Sequence, residues 1–472
     1  MIKNAMSVLG VFPPFWSDEG PHFILPHFQG MMKGLGVSVQ IIDLNIEVAA
    51  ALKERWDSLS QNWDNIWNRP RDVGDWLKQS DVVDSLVKSI SLQQPDWLIF
   101  LSVNIASYQV VRLLIRSVRT RFREMKTRIA VGGPLCVALK NSVNIFPEAD
   151  LVWSGTLESA IHVLFGQHTE KVNQNYSSCK FFPDFTGIDY SKYSNPHRLP
   201  YVLNYGCRFN CRFCHEGAQY AQEIRRPTFG LSKYLKTLLT TLPTVKYIRF
   251  FDSSLNSSQN QFLDILDELD GKNILWGCYL APMPYINHSI GTRMRSAGCI
   301  GVNLGVESGS STVRKLMGKP TQLDVVETCI RELHAVGIYT TINLMVGYPG
   351  ETENDFHETL LFISKMADVM SDVAVNITGI YAGTKLFADA RKLGIILNGD
   401  IQNEFSFNHW TLADGSNTPS IRNERLLRIE SHLESLGLKN MRLPDTGDPG
   451  LRALEHSNNY NQKGDTGTLC VE

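Results

Sequence analysis

The sequence has no apolar run near 20 residues long, so it predicts no transmembrane helix. The short apolar stretch Met6–Phe12 is too brief for a secretion signal and stops at once at Pro13-Pro14. Excess charge of one sign is also missing: 46 Lys and Arg stand against 48 Asp and Glu, a net of −2. Such a balance gives no pull toward nucleic acid or an anionic membrane. Cysteine is scarce and odd in number, nine in 472 residues, which excludes the disulfide framework of a small secreted domain. No G-x-G-x-x-G follows the first strand candidate, which argues against a nicotinamide site. Together these absences predict a cytoplasmic protein without membrane or nucleic-acid partners.

What remains is enough for a sizeable core and for two or three domains, at 43% hydrophobic and 20% charged residues. In residues 1–165, short apolar runs alternate with helical periods. Strands are expected at Met6–Phe12, Val37–Asp43, Asp96–Ser102, Arg128–Gly132 and Leu151–Trp153. Helices are expected at Phe28–Gly34, Ile46–Trp56, Ser80–Leu92, Tyr108–Glu124 and Leu157–Phe165. This α/β order predicts a doubly wound, Rossmann-like parallel sheet, with any ligand beyond the carboxyl ends of its strands. Residues 166–195 are polar and read as a linker. Residues 196–392 repeat the alternation about six times, which predicts a partial (β/α)6 barrel of the TIM type. Residues 393–472 form a small C-terminal region, with an amphipathic helix at Arg422–Leu436 and a polar tail from His456.

Three of the nine cysteines fall within eight residues, in Tyr205-Gly206-Cys207-Arg208-Phe209-Asn210-Cys211-Arg212-Phe213-Cys214. The spacing is C-x3-C-x2-C, just past the first barrel strand. Three thiolates on one loop can hold three irons of a cubane cluster and leave the fourth iron open. A zinc site with His215 as the fourth ligand is the alternative, although zinc-binding cysteine pairs usually come twice. No second cysteine group exists for a second cluster.

This segment resembles the radical S-adenosylmethionine (SAM) superfamily, whose motif also has an aromatic residue before the last cysteine. Gly298–Lys319, Gly337–Thr352 and Gly383-Thr384 resemble the family's fourth, fifth and sixth strands. The resemblance implies a [4Fe–4S] cluster on Cys207, Cys211 and Cys214, with SAM chelating the open iron and cleaved to a 5′-deoxyadenosyl radical. It implies that Phe213 presents its backbone to adenine and that Glu307 contacts the ribose or amino-acid part of SAM. Asp252 stands where the family binds the methionyl amino group, although the usual Gly-Gly-Glu is replaced here by Phe250-Phe251-Asp252.

Residues 1–165 resemble the cobalamin-binding domain found ahead of many radical SAM domains. The matching features are Pro13-Pro14 after the first strand, Gly132-Gly133-Pro134, and Ser154-Gly155-Thr156. Glycines at 132 and 133 would let backbone approach a bulky ligand, and Ser154 and Gly155 lead to a helix N-terminus. The family's Asp-x-His-x-x-Gly motif is absent: Asp18, His22 and His27 have the wrong spacing.

The resemblance implies cobalamin-dependent methyl transfer to an unactivated carbon or phosphorus of a small molecule or peptide in natural-product biosynthesis. An electron donor such as flavodoxin or ferredoxin would be a partner. Two other readings use the same residues. One is a cobalamin-independent epimerase, dehydratase or rearrangement enzyme with a vestigial first domain. The other is a non-catalytic iron–sulfur binding protein.

Overall fold

The computed structural model describes residues 6–14, 16–52, 83–84, 87–88, 90, 94–104, 107–121, 126–138, 142–157, 160, 164, 182–216, 223–397, 409–441 and 448–454. The expected helices at Ser80–Leu92 and Leu157–Phe165 lie largely outside these residues, and so does most of the expected linker. The polar tail, Cys179 and Cys470 lie wholly outside them.

Five strands form the first sheet: β1 (Ser7–Phe12), β2 (Ser38–Asp43), β3 (Trp97–Phe100), β4 (Arg128–Gly132) and β5 (Leu151–Trp153). They run parallel in the order β2-β1-β3-β4-β5. All four residues of β3 are buried. Leu98 and Phe100 enter one core, Trp97 and Ile99 the other. A strand buried on both faces reads as a continuous apolar run, which is why it was legible without alternation. The chain reverses direction across the sheet between β1 and β3, so the loops after these two strands diverge and leave a crevice.

The second sheet has six parallel strands in chain order: β6 (Arg198–Tyr201), β7 (Tyr247–Phe250), β8 (Trp276–Leu280), β9 (Cys299–Glu307), β10 (Tyr339–Val346) and β11 (Asp372–Ile377). It is open rather than closed. Alternate residues (Ile248 and Phe250, Trp276 and Cys278, Val302 and Leu304, Ile342 and Leu344) join the helices in one large core. The other face carries Tyr247, Arg249, Tyr279, Asn303 and Thr341, as the two-residue side-chain period requires. Helices at Gln259–Leu269 and Glu353–Met366 each start just after an N-cap residue, Ser258 and Thr352. The second begins at Glu353 because Thr352 and Asp355 form a reciprocal capping box.

After β11 come a small antiparallel pair, β12 (Ile395–Leu397) with β13 (Trp410–Leu412), and a helix at Pro419–Ser435. That helix starts three residues before the expected Arg422: Thr418 accepts the Ile421 N–H and Pro419 suits the first turn. Residues 448–454 then return to the inner face of the second sheet. Asp448 accepts the Tyr247 hydroxyl at 3.0 Å and lies 3.4 Å from Arg198 and 3.9 Å from Arg249. Arg198 also pairs with Glu19 of the first domain at 2.7 Å. The side chains of Asp448 and Arg249 are only 4% and 2% exposed, so neither charge has solvent as an alternative partner.

Removing one member of such a network leaves buried charge uncompensated. Asp448→Ala is expected to cost roughly 3–5 kcal/mol of stability, read as a lowered denaturant midpoint. An unchanged midpoint would show that Arg198 and Arg249 find other partners.

Candidate functional site

The cysteine loop starts where β6 ends. Tyr205 bridges to Ile224 and closes the loop's base. Inside it, Gly206 and Asn210 take left-handed backbone, with φ of 80° and 53°. The Cys214 N–H donates to the Cys211 carbonyl at 3.1 Å. Arg212 fastens the loop from outside: its N–H donates to the Met317 carbonyl at 2.9 Å, and its carbonyl accepts the Leu386 N–H at 2.8 Å. Its guanidinium pairs with Asp389 at 2.6 Å.

All three thiols are half-buried and free. Burial pushes Cys207 up to about 11 and Cys214 up to about 12, and raises Cys211 against the opposing pull of Lys319. Cys207 also feels Cys211, and Cys214 feels both other thiols. A thiol ligates as its thiolate, so a cation bound here would displace their protons. Among the described residues, no group of three or more His, Cys, Asp or Glu side chains is arranged to hold a metal ion. A three-thiol donor set suits a cluster that takes one thiolate per iron.

Glu307 ends β9 with φ of 72°, a left-handed conformation that is rare outside glycine. The β9–β10 pairing slips here, so that Leu344 faces Glu307. Its carboxylate pairs with Lys319 at 3.2 Å, and the two side chains are 13% and 9% exposed. Both groups act electrostatically on the Cys211 thiol, which puts this pair beside the cysteine loop. Strained backbone that carries a charged side chain at a strand's carboxyl end points to function. Phe213 sits edge-on to Tyr348, ring centres 6.5 Å apart, and the Tyr348 hydroxyl donates to the Leu316 carbonyl at 3.4 Å. Cys207, Cys211, Cys214, Phe213 and Glu307 therefore come together. Sequence reasoning passed over Lys319 and Tyr348 as site residues, although both stand in the quoted segments.

Asp252 is placed differently. It is 1% exposed, and its two oxygens accept the N–H groups of Leu203 at 2.9 Å and Asn204 at 2.7 Å. Its carboxylate thus shapes the entry to the cysteine loop. Gly132 and Gly133 also serve the fold. A side chain at 132 would strike the Trp153 ring, and one at 133 the backbone of Ser102 and Val103. Ser154 is exposed, and Gly155 turns sharply after β5 with φ of 139°. The two domains approach each other at the loop, where the Pro134 backbone, just beyond β4, acts on the His215 ring. Burial, the larger effect, lowers the His215 pKa, and the Pro134 backbone opposes it.

Burial pushes the Asp252 carboxyl up to about 7, against the backbone bonds from Leu203 and Asn204 and the charge of Arg226. The unfolded value is about 3.9, so between these values the folded state binds more protons. Its contribution should then be fully present near pH 4 and decline as the pH rises to about 7. Asp252→Asn loses one backbone acceptor, at a cost of about 1–3 kcal/mol. Denaturant unfolding of both proteins should show the gap narrowing from pH 4 to pH 7; a constant gap would place the titration elsewhere.

The profile of the Radical SAM superfamily matches residues 201–363. An uncharacterised methyltransferase of Pyrococcus horikoshii is 27% identical over 202 residues, 41% of this chain and 42% of that protein. A tRNA-2-methylthio-N(6)-dimethylallyladenosine synthase of Buchnera aphidicola is 25% identical over 276 residues, 53% of this chain and 61% of that protein. The chain thus spans 42% and 61% of the lengths of these two relatives. Because one of them carries a tRNA-modifying name, the even charge balance does not decide whether nucleic acid is a partner. Among solved structures, the radical SAM methyltransferase TsrM of Kitasatospora setae, with cobalamin and a [4Fe–4S] cluster bound, superposes with a TM-score of 0.67. The two are 14% identical, over 92% of this chain and 91% of that one. The cobalamin-dependent radical enzyme OxsB gives a TM-score of 0.62 and 14% identity, over 92% and 67% of the two chains. No helix among the described residues is long and apolar enough to cross a membrane. The matched segment and the cysteine loop within it identify residues 201–363 as a radical SAM domain, and the two-sheet fold is shared with TsrM and OxsB.

Proposed function

We propose that this chain is a cobalamin-dependent radical SAM methyltransferase acting on an unactivated carbon or phosphorus of a small molecule or peptide. The observation that carries the reading is the joint between the two domains beside the cysteine loop, where Arg226 meets His27 at 3.1 Å and lies 5.3 Å from the ring of Tyr205 at the loop's base. Cys207, Cys211 and Cys214 would hold a [4Fe–4S] cluster. Glu307 and Lys319 offer an acceptor and a donor beside Cys211 for the polar groups of SAM.

At the first sheet, sharp turns follow three neighbouring strands, at Ser102 (φ 55°), Gly133 (φ 148°) and Gly155 (φ 139°). Such turns leave a floor of backbone and small side chains, which fits a broad flat ligand. Two histidines of this domain each commit Nδ1 within the protein: His22 stacks on Phe12 at 4.4 Å and accepts the Ile24 N–H at 3.2 Å, and His27 takes the Arg226 guanidinium at 3.1 Å. The floor fits cobalamin, and no Asp-x-His-x-x-Gly segment stands beside it to supply a histidine ligand. When bound, the cluster and cobalamin supply electron transfer to SAM and the methyl group. The protein's own part is to orient these groups and keep water out. A small-molecule or peptide acceptor and a place in natural-product biosynthesis belong to the same proposal, as does a flavodoxin- or ferredoxin-like reductant.

Anaerobic reconstitution with iron, sulfide and hydroxocobalamin tests it. Replacing Cys207, Cys211 and Cys214 by alanine should abolish both the absorbance near about 420 nm and SAM cleavage. Retained cleavage would sink the cluster assignment. Near-stoichiometric bound cobalt, with 5′-deoxyadenosine and S-adenosylhomocysteine formed together, is the expected result. Absence of bound cobalt would make residues 1–165 a scaffold and favour radical chemistry without methylation. A tRNA acceptor would appear as methylated or methylthiolated RNA in place of a small product.

A further inference from the structure

The loop Gly347-Tyr348-Pro349-Gly350-Glu351 follows β10 and touches the cysteine loop through Tyr348 and Phe213. Its conformation is held from behind by the C-terminal region. The Gly347 N–H donates to Glu351 Oε2 at 2.7 Å, and Arg425 donates to the same oxygen at 2.7 Å. Arg425 also donates to the Glu351 carbonyl at 3.3 Å. The side chains of Arg425 and Glu351 are 5% and 1% exposed. Asn417 donates to the Gly347 carbonyl at 3.0 Å, and Arg422 donates to Asn417 Oδ1 at 2.9 Å. Arg422 lies 3.9 Å above the Trp410 ring and donates to the Trp410 carbonyl at 2.8 Å. Its stem packs against Gly347, whose φ of 73° leaves no comfortable room for a side chain.

The Gly347 carbonyl is thus held directly by Asn417 and its N–H, through Glu351, by Arg425, and both Asn417 and Arg425 lie outside the segment that matches the superfamily, which ends at residue 363. A loop of this composition would be flexible alone. Here two buried guanidinium groups set it. Trp410 is fully buried and donates its indole N–H to the Thr378 carbonyl at 2.9 Å, so it serves this brace and has no free face for a substrate.

We infer that Arg425, with Glu351 and Asn417, positions the Gly347–Tyr348 backbone for SAM, so that the C-terminal helix is a working part of the SAM site. The inference rests on the radical SAM reading of that site. Arg425 touches no reacting atom; it acts through Glu351. Losing it would leave Glu351 buried without its cation, and the carboxylate would take up a proton or turn away, releasing the Gly347 N–H.

The test uses the full chain, reconstituted with its cluster, in wild-type, Arg425→Met, Arg425→Lys and Asn417→Ala forms. Arg293→Met, on the outer helices where Arg293 pairs with Asp267 at 2.6 Å, is the control. Iron content and thermal melting report cluster loading and folding; equilibrium dialysis reports the Kd for SAM, and the cluster's electron paramagnetic resonance signal reports its contact with SAM. Arg425→Met should weaken SAM binding at least about tenfold at unchanged iron content, with Arg425→Lys in between and the control unchanged. Asn417→Ala should weaken it severalfold and serves if Arg425→Met does not fold. SAM binding within twofold of wild type in the folded variants overturns the inference. Failure of the wild-type protein itself to bind SAM overturns the radical SAM reading instead.

Discussion

Arg226 fixes the two sheets in one orientation. Its guanidinium donates to the Val202 carbonyl, just after β6, and to His27, on the helix that follows β1, both at 3.1 Å, and lies 5.3 Å from the centre of the Tyr205 ring. Its backbone N–H donates to Asn204, and its carbonyl accepts from Gln261. A buried cation tolerates few arrangements, because each donor it loses has no water to replace it. Burial lowers the His27 pKa well below its ordinary value, and the Arg226 charge lowers it further. The imidazole thus stays a neutral acceptor across the physiological range, and the joint does not loosen with pH. The cysteine loop leaves the second sheet beside this joint, at Tyr205.

Much of this arrangement was legible in the sequence because it is local. The five strands of the first sheet read as apolar runs, since both faces of β3 are covered. The cysteine loop read as a metal site because three ligands within eight residues need no tertiary knowledge. Glu307 read as a site residue because it follows an apolar strand that gives a carboxylate no cover. What stayed hidden depends on partners far away in the chain. Asp252 sits at a strand end as expected, yet its partners are backbone N–H groups 48 and 49 residues earlier, and no spacing reveals them. At Gly132 and Gly133 the close neighbours are Trp153 and the turn after β3, and Trp410 is wedged beneath Arg422; these contacts too are invisible to spacing.

The C-terminal region shows the same principle on a larger scale. Its helix has weak periodicity because its inner face carries Arg422 and Arg425 among the apolar Leu426, Ile429 and Leu433. Cations in a core stripe blur the pattern that marks an amphipathic helix. The two guanidinium groups are tolerated there because each meets carbonyl or carboxylate oxygens and an aromatic face. Specific polar contacts thus replace part of the apolar contact that would otherwise dock such a helix, and they fix its register as apolar contact would not.

Asp448 also sets an order of events during synthesis. It completes a network whose other members, Arg198 and Tyr247, stand 250 and 201 residues earlier in the chain. At ribosomal speed that interval is roughly 10–50 s. Over that time the first sheet is complete and can fold, while the inner face of the second sheet lacks its last layer. The cysteine loop is synthesised early in the interval, so it emerges into a half-built barrel. Iron delivered to a nascent chain would meet the loop before Asp448 completes the network, whereas iron delivered after release would meet it afterwards.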